Sequence, residues 1–296
     1  MINVFEVLPI PPLVLGEGPL WDAARGRFLV VDIHGRAVHA WSPASGEVQR
    51  WDLPERIGWI ISRRDGDGFI AGLQSGFVRL WLEPALRIEA IGSPHAGQPA
   101  VRLNDAKADA QGRIWAGSMN NDDHVSTDGR LARLDADGSI HVVERGLHIC
   151  NGPAITPDGR WLFHTDSYVA CTWRYRLHED GTLTDKRLWQ RFDARRGQGS
   201  PDGMCFDAEG CLWIAFWGGG CLRRYSVEGE LLRQIDLPAR QITSMAFGGD
   251  DFETLVVTSA SDGLDAAARA AQPLAGATFR LRPGVAGLAP LGYGCA

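Results

Sequence analysis

The sequence predicts an all-β fold, a six-bladed β-propeller with four antiparallel strands per blade, and three observations support that prediction. The 296 residues include 36 Gly, 16 Pro and 11 Trp, a composition typical of short strands joined by tight turns. A motif consisting of an Asp- or Gly-centred turn and a short apolar run recurs every 40–50 residues or so, roughly the period of a propeller blade. A second hairpin follows most copies. The six copies begin at Asp22, Asp65, Asp109, Pro157, Asp207 and Gly249.

Each copy of the motif is expected to supply the first two strands of a blade, and the hairpin after it the other two. Alternating apolar and polar residues around Asp-Gly or Glu-Gly turns predict these hairpins. One segment, residues 264–271, has a helical pattern. We expect the strand near residues 3–8 to pair into the last blade and so to hide an edge strand. We also expect residues 1–296 to form a single domain. The hairpins start with residues 37–41, 131–134, 172–176 and 222–225.

Composition and charge exclude several classes of protein. The formal charge of −6 and the scattered Lys and Arg residues argue against nucleic acid as a partner. No run approaches the roughly 18 apolar residues of a membrane-spanning helix, and no basic segment precedes an apolar one at the N-terminus. The six Cys form no Cys-x-x-Cys pair and are expected to be reduced. We therefore expect a cytoplasmic protein without membrane partners, and nothing in a closed propeller demands more than a monomer.

Polar side chains recur at one position ahead of the repeated turn. Asn104, Asn151 and Asp202 each lie eight residues before the turn glycine of their copy, and Glu17 lies nine residues before that of the first copy. The first strands of a propeller line its central channel, so we expect these four side chains to converge there. The corresponding positions of the second and sixth blades are near Trp59 and Ser244.

Four converging oxygen-bearing side chains predict a divalent cation. Glu17 and Asp202 would repel each other, and one would have to bind a proton unless a cation lay between them. Oxygen ligands favour Ca²⁺, Mg²⁺ or Mn²⁺, with Zn²⁺ or Fe²⁺ also open. Three or four protein ligands leave positions for water or substrate, as in a catalytic site. Asn104, Asn151 and Asp202 also lie in common turn sequences, but turn chemistry alone does not require the register that the four residues share.

Four segments of the sequence resemble one known family. They start at Leu15-Gly-Glu-Gly-Pro-Leu-Trp and Arg102-Leu-Asn-Asp-Ala-Lys, and continue with residues 151–160 and 201–219. In this order they resemble the family of regucalcin (senescence marker protein), gluconolactonases and the luciferin-regenerating enzyme. The likeness runs from about residue 15 to 282, and the bacterial sugar lactonases look nearest.

The resemblance implies a propeller that binds one divalent cation (Ca, Zn, Mn, Fe or Mg) and hydrolyses sugar lactones such as gluconolactone or xylonolactone. Its metal ligands would be Glu17, Asn151 and Asp202, and Asp202 would also be the catalytic acid–base. Arg102 and Asn104 would contact the hydroxyl groups of the sugar. Many relatives carry an acidic residue at a later substrate contact. Here Asn120 or Asn121 would replace it, which bears on the preferred sugar.

Other functions remain open at this point. The same fold and metal could support an esterase or phosphotriesterase, because neither fixes the substrate. A non-catalytic calcium-binding regulatory protein is a second alternative, and an interaction scaffold is a third. A scaffold would have no reason to keep Glu17 and Asp202 in register. The sequence also does not decide whether Asp202 acts as a general base or as a nucleophile.

Overall fold

The computed structural model describes residues 5–194 and 197–295, and within them almost all regular structure is β-strand. A short strand comes first and five sets of four follow. The strands, in chain order, are β1 Glu6–Val7; β2 Gly16–Asp22, β3 Arg27–Asp32, β4 Ala37–Trp41, β5 Val48–Asp52; β6 Ile57–Ser62, β7 Phe69–Leu73, β8 Phe77–Trp81, β9 Arg87–Gly92; β10 Val101–Ala108, β11 Ile114–Asn120, β12 Gly129–Leu134, β13 Ile140–Leu147; β14 Cys150–Ile155, β15 Trp161–Asp166, β16 Cys171–Leu177, β17 Leu183–Arg191; β18 Ser200–Phe206, β19 Leu212–Trp217, β20 Cys221–Tyr225, β21 Leu231–Asp236; and finally β22 Ile242–Gly248, β23 Thr254–Ser259 and β24 Phe279–Leu281.

Six four-stranded antiparallel sheets are the blades of a six-bladed β-propeller, which confirms the predicted fold class. Five blades are simple up-and-down meanders of consecutive strands. The sixth has the order β1-β24-β23-β22, so the first strand of the chain completes the last blade. That pairing was predicted for residues 3–8, of which Asn3 and Val4 lie outside the described residues. The one helix in the described ranges, α1 (Ala266–Ala271), matches the predicted helical segment and is capped by Asp265.

The chain forms two compact units, each containing three blades. Unit 1 consists of residues 1–52 and 192–289, and unit 2 of residues 53–191 and 290–296. In unit 1, β22 packs against both β2 and β18, and in unit 2, β10 packs against both β6 and β14. The first strands of the blades are therefore neighbours within each unit. No helix in residues 5–194 and 197–295 is long and apolar enough to cross a membrane.

Buried aspartates explain why the repeated turn begins with Asp in the third and fifth blades. In the third blade Asp109 is 1 % exposed, and its carboxylate accepts hydrogen bonds from the backbone of the turn and from Trp115 Nε1 at 3.0 Å. In the fifth blade Asp207 is fully buried and accepts from Trp213 Nε1 at 2.8 Å. A buried carboxylate requires such donors, and here it joins the turn to the core indole of the next strand.

Candidate active site

The first strand of every blade contains a β-bulge where the sequence predicts the polar side chains. In each blade one extra residue of the first strand is fitted against the second strand. A bulge bends its strand and redirects side chains, and it is common next to active sites. The shifts in register fall between Glu17 and Leu20, Ile57 and Trp59, Leu103 and Ala106, Asn151 and Ala154, Pro201 and Met204, and Ile242 and Ser244.

The four predicted side chains occupy two neighbouring positions of the bulge rather than one. Glu17 and Asn151 are the last paired residues before the shift, and Asn104 and Asp202 are the first residues within it. Glycine follows both members of the first pair, with φ of 47° at residue 18 and 39° at residue 152. These left-handed conformations favour glycine, which has no Cβ to clash. The bulge therefore requires the glycine of each Glu-Gly or Asn-Gly dipeptide, whether or not the preceding side chain binds a ligand.

In unit 2 a chain of hydrogen bonds joins the side chains of Arg102, Asn104 and Asn151. Arg102 Nη1 donates to Asn104 Oδ1 at 2.5 Å, and Asn104 Nδ2 donates to Asn151 Oδ1, also at 2.5 Å. Asn151 Nδ2 in turn donates to Ser167 Oγ at 2.9 Å. All four residues are buried. The chain fixes which end of each amide is oxygen, so the Asn151 carbonyl oxygen points towards Asn104 and keeps a second lone pair for another partner.

The predicted substrate residues Asn120 and Asn121 have different surroundings. Asn121 Oδ1 accepts a hydrogen bond from Arg102 Nε at 3.1 Å, so this amide belongs to the same chain. Asn120 instead folds its own loop, because its Oδ1 accepts from the backbone N–H groups of Asp122 and Asp123 and its Nδ2 donates to Asp128. Asn121 is therefore joined to Arg102, whereas these hydrogen bonds of Asn120 lie within its own loop.

In unit 1 the two predicted carboxylates lie on first strands that flank β22. Glu17, on β2, is 6 % exposed, and its Oε2 accepts a hydrogen bond from the N–H of residue 18 at 3.2 Å. Asp202, on β18, is 5 % exposed. The side chain of Thr243, on β22, donates to the Gly16 carbonyl at 2.6 Å and ties β22 to the strand that carries Glu17.

Sequence reasoning missed three aspartates that support these strands. Asp166, at the end of β15, accepts from the backbone N–H groups of His148 and Ile149, immediately before β14. Asp32, at the end of β3, accepts in the same way from the two residues before β2. Each lies fifteen positions after a predicted ligand, Asn151 or Glu17, and this shared spacing was the available signal.

The third missed aspartate, Asp105, follows Asn104 directly. Its carboxylate accepts from the N–H of Ala106 at 2.7 Å and from the N–H of Gly152 at 3.0 Å, which links the bulges of β10 and β14. Burial raises the pKa of the Asp105 carboxyl, although nearby Lys107 and the two N–H donors partly oppose that effect. In the sequence Asn104-Asp105 looks like an ordinary turn dipeptide, which conceals this link.

The predicted ligands have the chemistry that suits a hard divalent cation. Glu17 and Asp202, in unit 1, are buried carboxyl groups, and Asn151, in unit 2, has a buried amide; all three offer oxygen, the donor that Ca²⁺, Mg²⁺ and Mn²⁺ prefer. In the part of the chain that the structure describes, no three His, Cys, Asp or Glu side chains are grouped so as to hold a metal ion. The predicted set of Glu17, Asn151 and Asp202 includes an amide and is a different kind of group.

Residues 15–261 match the family model described as the SMP-30/gluconolactonase/LRE-like region, which covers most of the chain. The chain belongs to this family. Family relatives with similar sequences include a 6-deoxy-6-sulfogluconolactonase of Pseudomonas putida, 37 % identical over 94 % of both chains. A regucalcin of Danio rerio is 34 % identical over 94 % of both chains, and a pentonolactonase of Haloferax volcanii is 35 % identical over 90 % of both.

Solved structures support the same assignment. A luciferin-regenerating enzyme superposes with a TM-score of 0.92 at 29 % identity, and the match covers 98 % of this chain and 99 % of that one. The family resemblance predicted from the sequence is thereby confirmed, and sugar-lactone hydrolysis is the activity for which several relatives are named.

Proposed function

We propose that the protein is a divalent-metal-dependent hydrolase that opens sugar lactones, such as gluconolactone or xylonolactone, to the free aldonic acids. The names of the gluconolactonase and pentonolactonase relatives support this proposal. The observation that carries it is the buried chain from Arg102 through Asn104 to Asn151, which is built into adjacent bulged strands. Buried polar chains of this kind cost free energy unless every member is satisfied.

Glu17, Asn151 and Asp202 would hold the cation. When bound, it would polarise the lactone carbonyl and stabilise negative charge on its oxygen. Arg102 and Asn104 would orient the hydroxyl groups of the substrate, because a guanidinium presents its N–H donors in a fixed planar fork. Asn121 would act through Arg102, whose Nε it holds.

Asp202 would move the proton. As a general base it takes a proton from the attacking water while the new bond from that oxygen to the acyl carbon forms. The bond from the acyl carbon to the ring oxygen then breaks, and the proton passes to that oxygen, giving a hydroxy acid. In the alternative route the Asp202 carboxylate attacks the acyl carbon itself, the bond from that carbon to the ring oxygen breaks, and the ring oxygen takes a proton from water. Hydroxide or water then cleaves the resulting anhydride, which gives the hydroxy acid and frees the Asp202 carboxylate.

The test is acid release from glucono-δ-lactone and xylonolactone, corrected for spontaneous opening. It is measured before and after chelation and after adding back Ca²⁺, Mn²⁺, Zn²⁺, Fe²⁺ or Mg²⁺. We expect turnover that chelation abolishes and one or more of these cations restores. An organophosphate triester and an aryl ester are run in parallel, and a preference for either over both lactones would overturn the proposed substrate class.

The role of Asp202 is tested by Asp202→Asn, which keeps the shape of the side chain and removes its charge. We expect kcat to fall by about 100-fold or more, because a positioned acid–base contributes that much. The matched control is Asp236→Asn, an exposed aspartate on the outer strand of the same blade. Near-normal turnover in metal-saturated Asp202→Asn would contradict the assignment.

A further inference from the structure

Tyr168 is an exposed aromatic side chain with one covered face. It lies in the turn between β15 and β16 and is 49 % exposed, although most large apolar side chains of the protein are buried. Its ring stacks on the imidazole of His148, with ring centroids 4.8 Å apart and planes inclined by 20°. Stacked aromatic rings attract each other beyond the effect of the area that they bury. The phenol ring is therefore held in place and keeps an exposed surface.

The supporting imidazole is itself fixed. His148 Nδ1 is 2.9 Å from Asp166 Oδ2, and the same carboxylate accepts hydrogen bonds from the backbone N–H groups of His148 and Ile149. Asp166 is only 4 % exposed. Three interactions thus join one buried carboxylate to the segment that carries the imidazole. A phenol ring stacked on this fixed imidazole loses less conformational entropy when a ligand covers it than a freely rotating ring would lose.

The stacked pair of His148 and Tyr168 lies in the fourth blade, at the end that carries Asn151. In the antiparallel register of β14 and β15, Cys150 faces Asp166 and Asn151 faces Thr165, so residues 148 and 168 flank the end at which β14 begins. Ser167, next to Tyr168 in the chain, accepts the hydrogen bond from Asn151 Nδ2.

A second connection reaches the neighbouring blade. Ile149, next to His148, forms an isolated β-bridge with Met119, and Met119 Sδ is 3.2 Å from Arg102 Nη2. The pair is therefore linked by short contacts both to Asn151 and to Arg102.

We propose that Tyr168, supported by His148, is a stacking surface for the carbon framework of the sugar lactone and determines which sugars bind. This inference rests on the proposed function. Sugars have apolar C–H faces between their hydroxyl groups. A half-exposed aromatic ring can cover a C–H face, while the polar side chains beside it form hydrogen bonds with the hydroxyl groups. Tyr168 acts as a specificity residue and His148 as the positioning residue beneath it.

The test measures KM and kcat of metal-saturated protein on glucono-δ-lactone, with gluconate binding followed by ligand-observed NMR. We expect Tyr168→Ala to raise KM about tenfold, with kcat within twofold of the starting protein, and to weaken gluconate binding to the same extent. Tyr168→Phe keeps the ring and should retain the original KM. His148→Ala should raise KM by about threefold. The matched control is Leu188→Ala, 43 % exposed on the outer strand of the same blade, and thermal unfolding verifies the fold of each variant.

The outcomes separate this inference from the proposed function. Lactone turnover with an unchanged KM in Tyr168→Ala overturns the stacking surface alone. A loss of kcat in His148→Ala, with KM unchanged, would make the imidazole a participant in the reaction and also overturn it. Tyr168-dependent binding of gluconate without lactone turnover would support the surface and reject the proposed reaction. Neither turnover nor gluconate binding would reject both.

Discussion

Single amide groups set the polarity of the candidate site. Asn104 is held from both sides, since its oxygen accepts from Arg102 and its nitrogen donates to the Cys150 carbonyl and to Asn151. An aspartate at this position would lack the donor, and a carboxylate would face the Asn151 oxygen at close range. This explains in physical terms why an amide fits at position 104.

Ser167 offers a direct test of that polarity. Ser167→Ala removes the acceptor of Asn151 Nδ2, so the Asn151 amide loses part of its orientation. We expect metal affinity, measured by calorimetric titration, to fall by about 10-fold, because partners of metal ligands commonly contribute this much. The control Ser139→Ala removes a hydroxyl from an exposed turn of unit 2 and should leave metal affinity unchanged. Equal affinities in the two variants would contradict a role for Asn151 as a ligand.

At the scale of the strand, the bulge is the part of the site that the sequence disclosed least completely. The repeated turn and the apolar runs predicted the blades, because hydrophobic alternation and Gly-containing turns are local signals. Counting back from the turn glycine located the four polar residues but assigned all of them to a single structural position. The extra residue is visible only when two strands are paired, and so the difference between Asn151 and Asn104 required the structure.

Gly152 tests whether the bulge matters for function as well as for folding. Gly152→Ala places a Cβ on a residue with φ of 39°, and we expect unfolding to become easier by about 1 kcal/mol or more, measured by urea denaturation. Gly159, in the turn at the other end of the same hairpin, has φ of 70°. Gly159→Ala should cost similar stability but preserve metal affinity, whereas Gly152→Ala should lower both. Preserved metal affinity in both variants would separate the bulge from the site.

Hydrogen bonds between Glu144, on the outer strand of the third blade, and side chains of the fourth blade predict a pH dependence of stability. Burial alone would raise the pKa of Glu144, but hydrogen bonds with His164, Lys186 and Tyr175 outweigh burial and lower the pKa to about 2. Because the unfolded value is near 4.5, this stabilisation is complete above pH 4.5 and is lost as the pH falls towards 2. Urea unfolding between pH 6 and pH 3 should show a shallower loss of stability in Glu144→Gln. Identical slopes in the two proteins would refute this prediction.

At the scale of the whole chain, the first strand belongs to the last blade. Val7 pairs with Phe279, and the N–H of Leu8 donates to the Thr278 carbonyl at 2.9 Å. This closure was predictable, because an exposed edge strand is a liability that propellers avoid.

The aspartates at the ends of β3 and β15, Asp32 and Asp166, were not recognised from the sequence, because a single Asp after an apolar run also marks an ordinary turn.

Alanine substitutions at two neighbouring residues test how much this closure contributes to the free energy of unfolding. Leu8 is 2 % exposed and Val7 is 41 % exposed. Leu8→Ala should lower the free energy of unfolding by about 2–5 kcal/mol, whereas Val7→Ala should change it by less than about 0.5 kcal/mol. Chemical denaturation gives both values. A loss below about 0.5 kcal/mol in both variants would show that this part of the chain contributes little to stability.

The sharing of one blade between the two ends of the chain has a consequence for synthesis on the ribosome. Of the described strands, β1 emerges before all the others, and its partner, β24, emerges after all the others. Until then β23, with the sequence Thr-Leu-Val-Val-Thr-Ser, has an unpaired edge of the kind that promotes aggregation. A message truncated shortly before codon 279 would therefore yield five complete blades and a sixth with an exposed strand edge. Its product should be a substrate for chaperones rather than a slightly shortened folded protein.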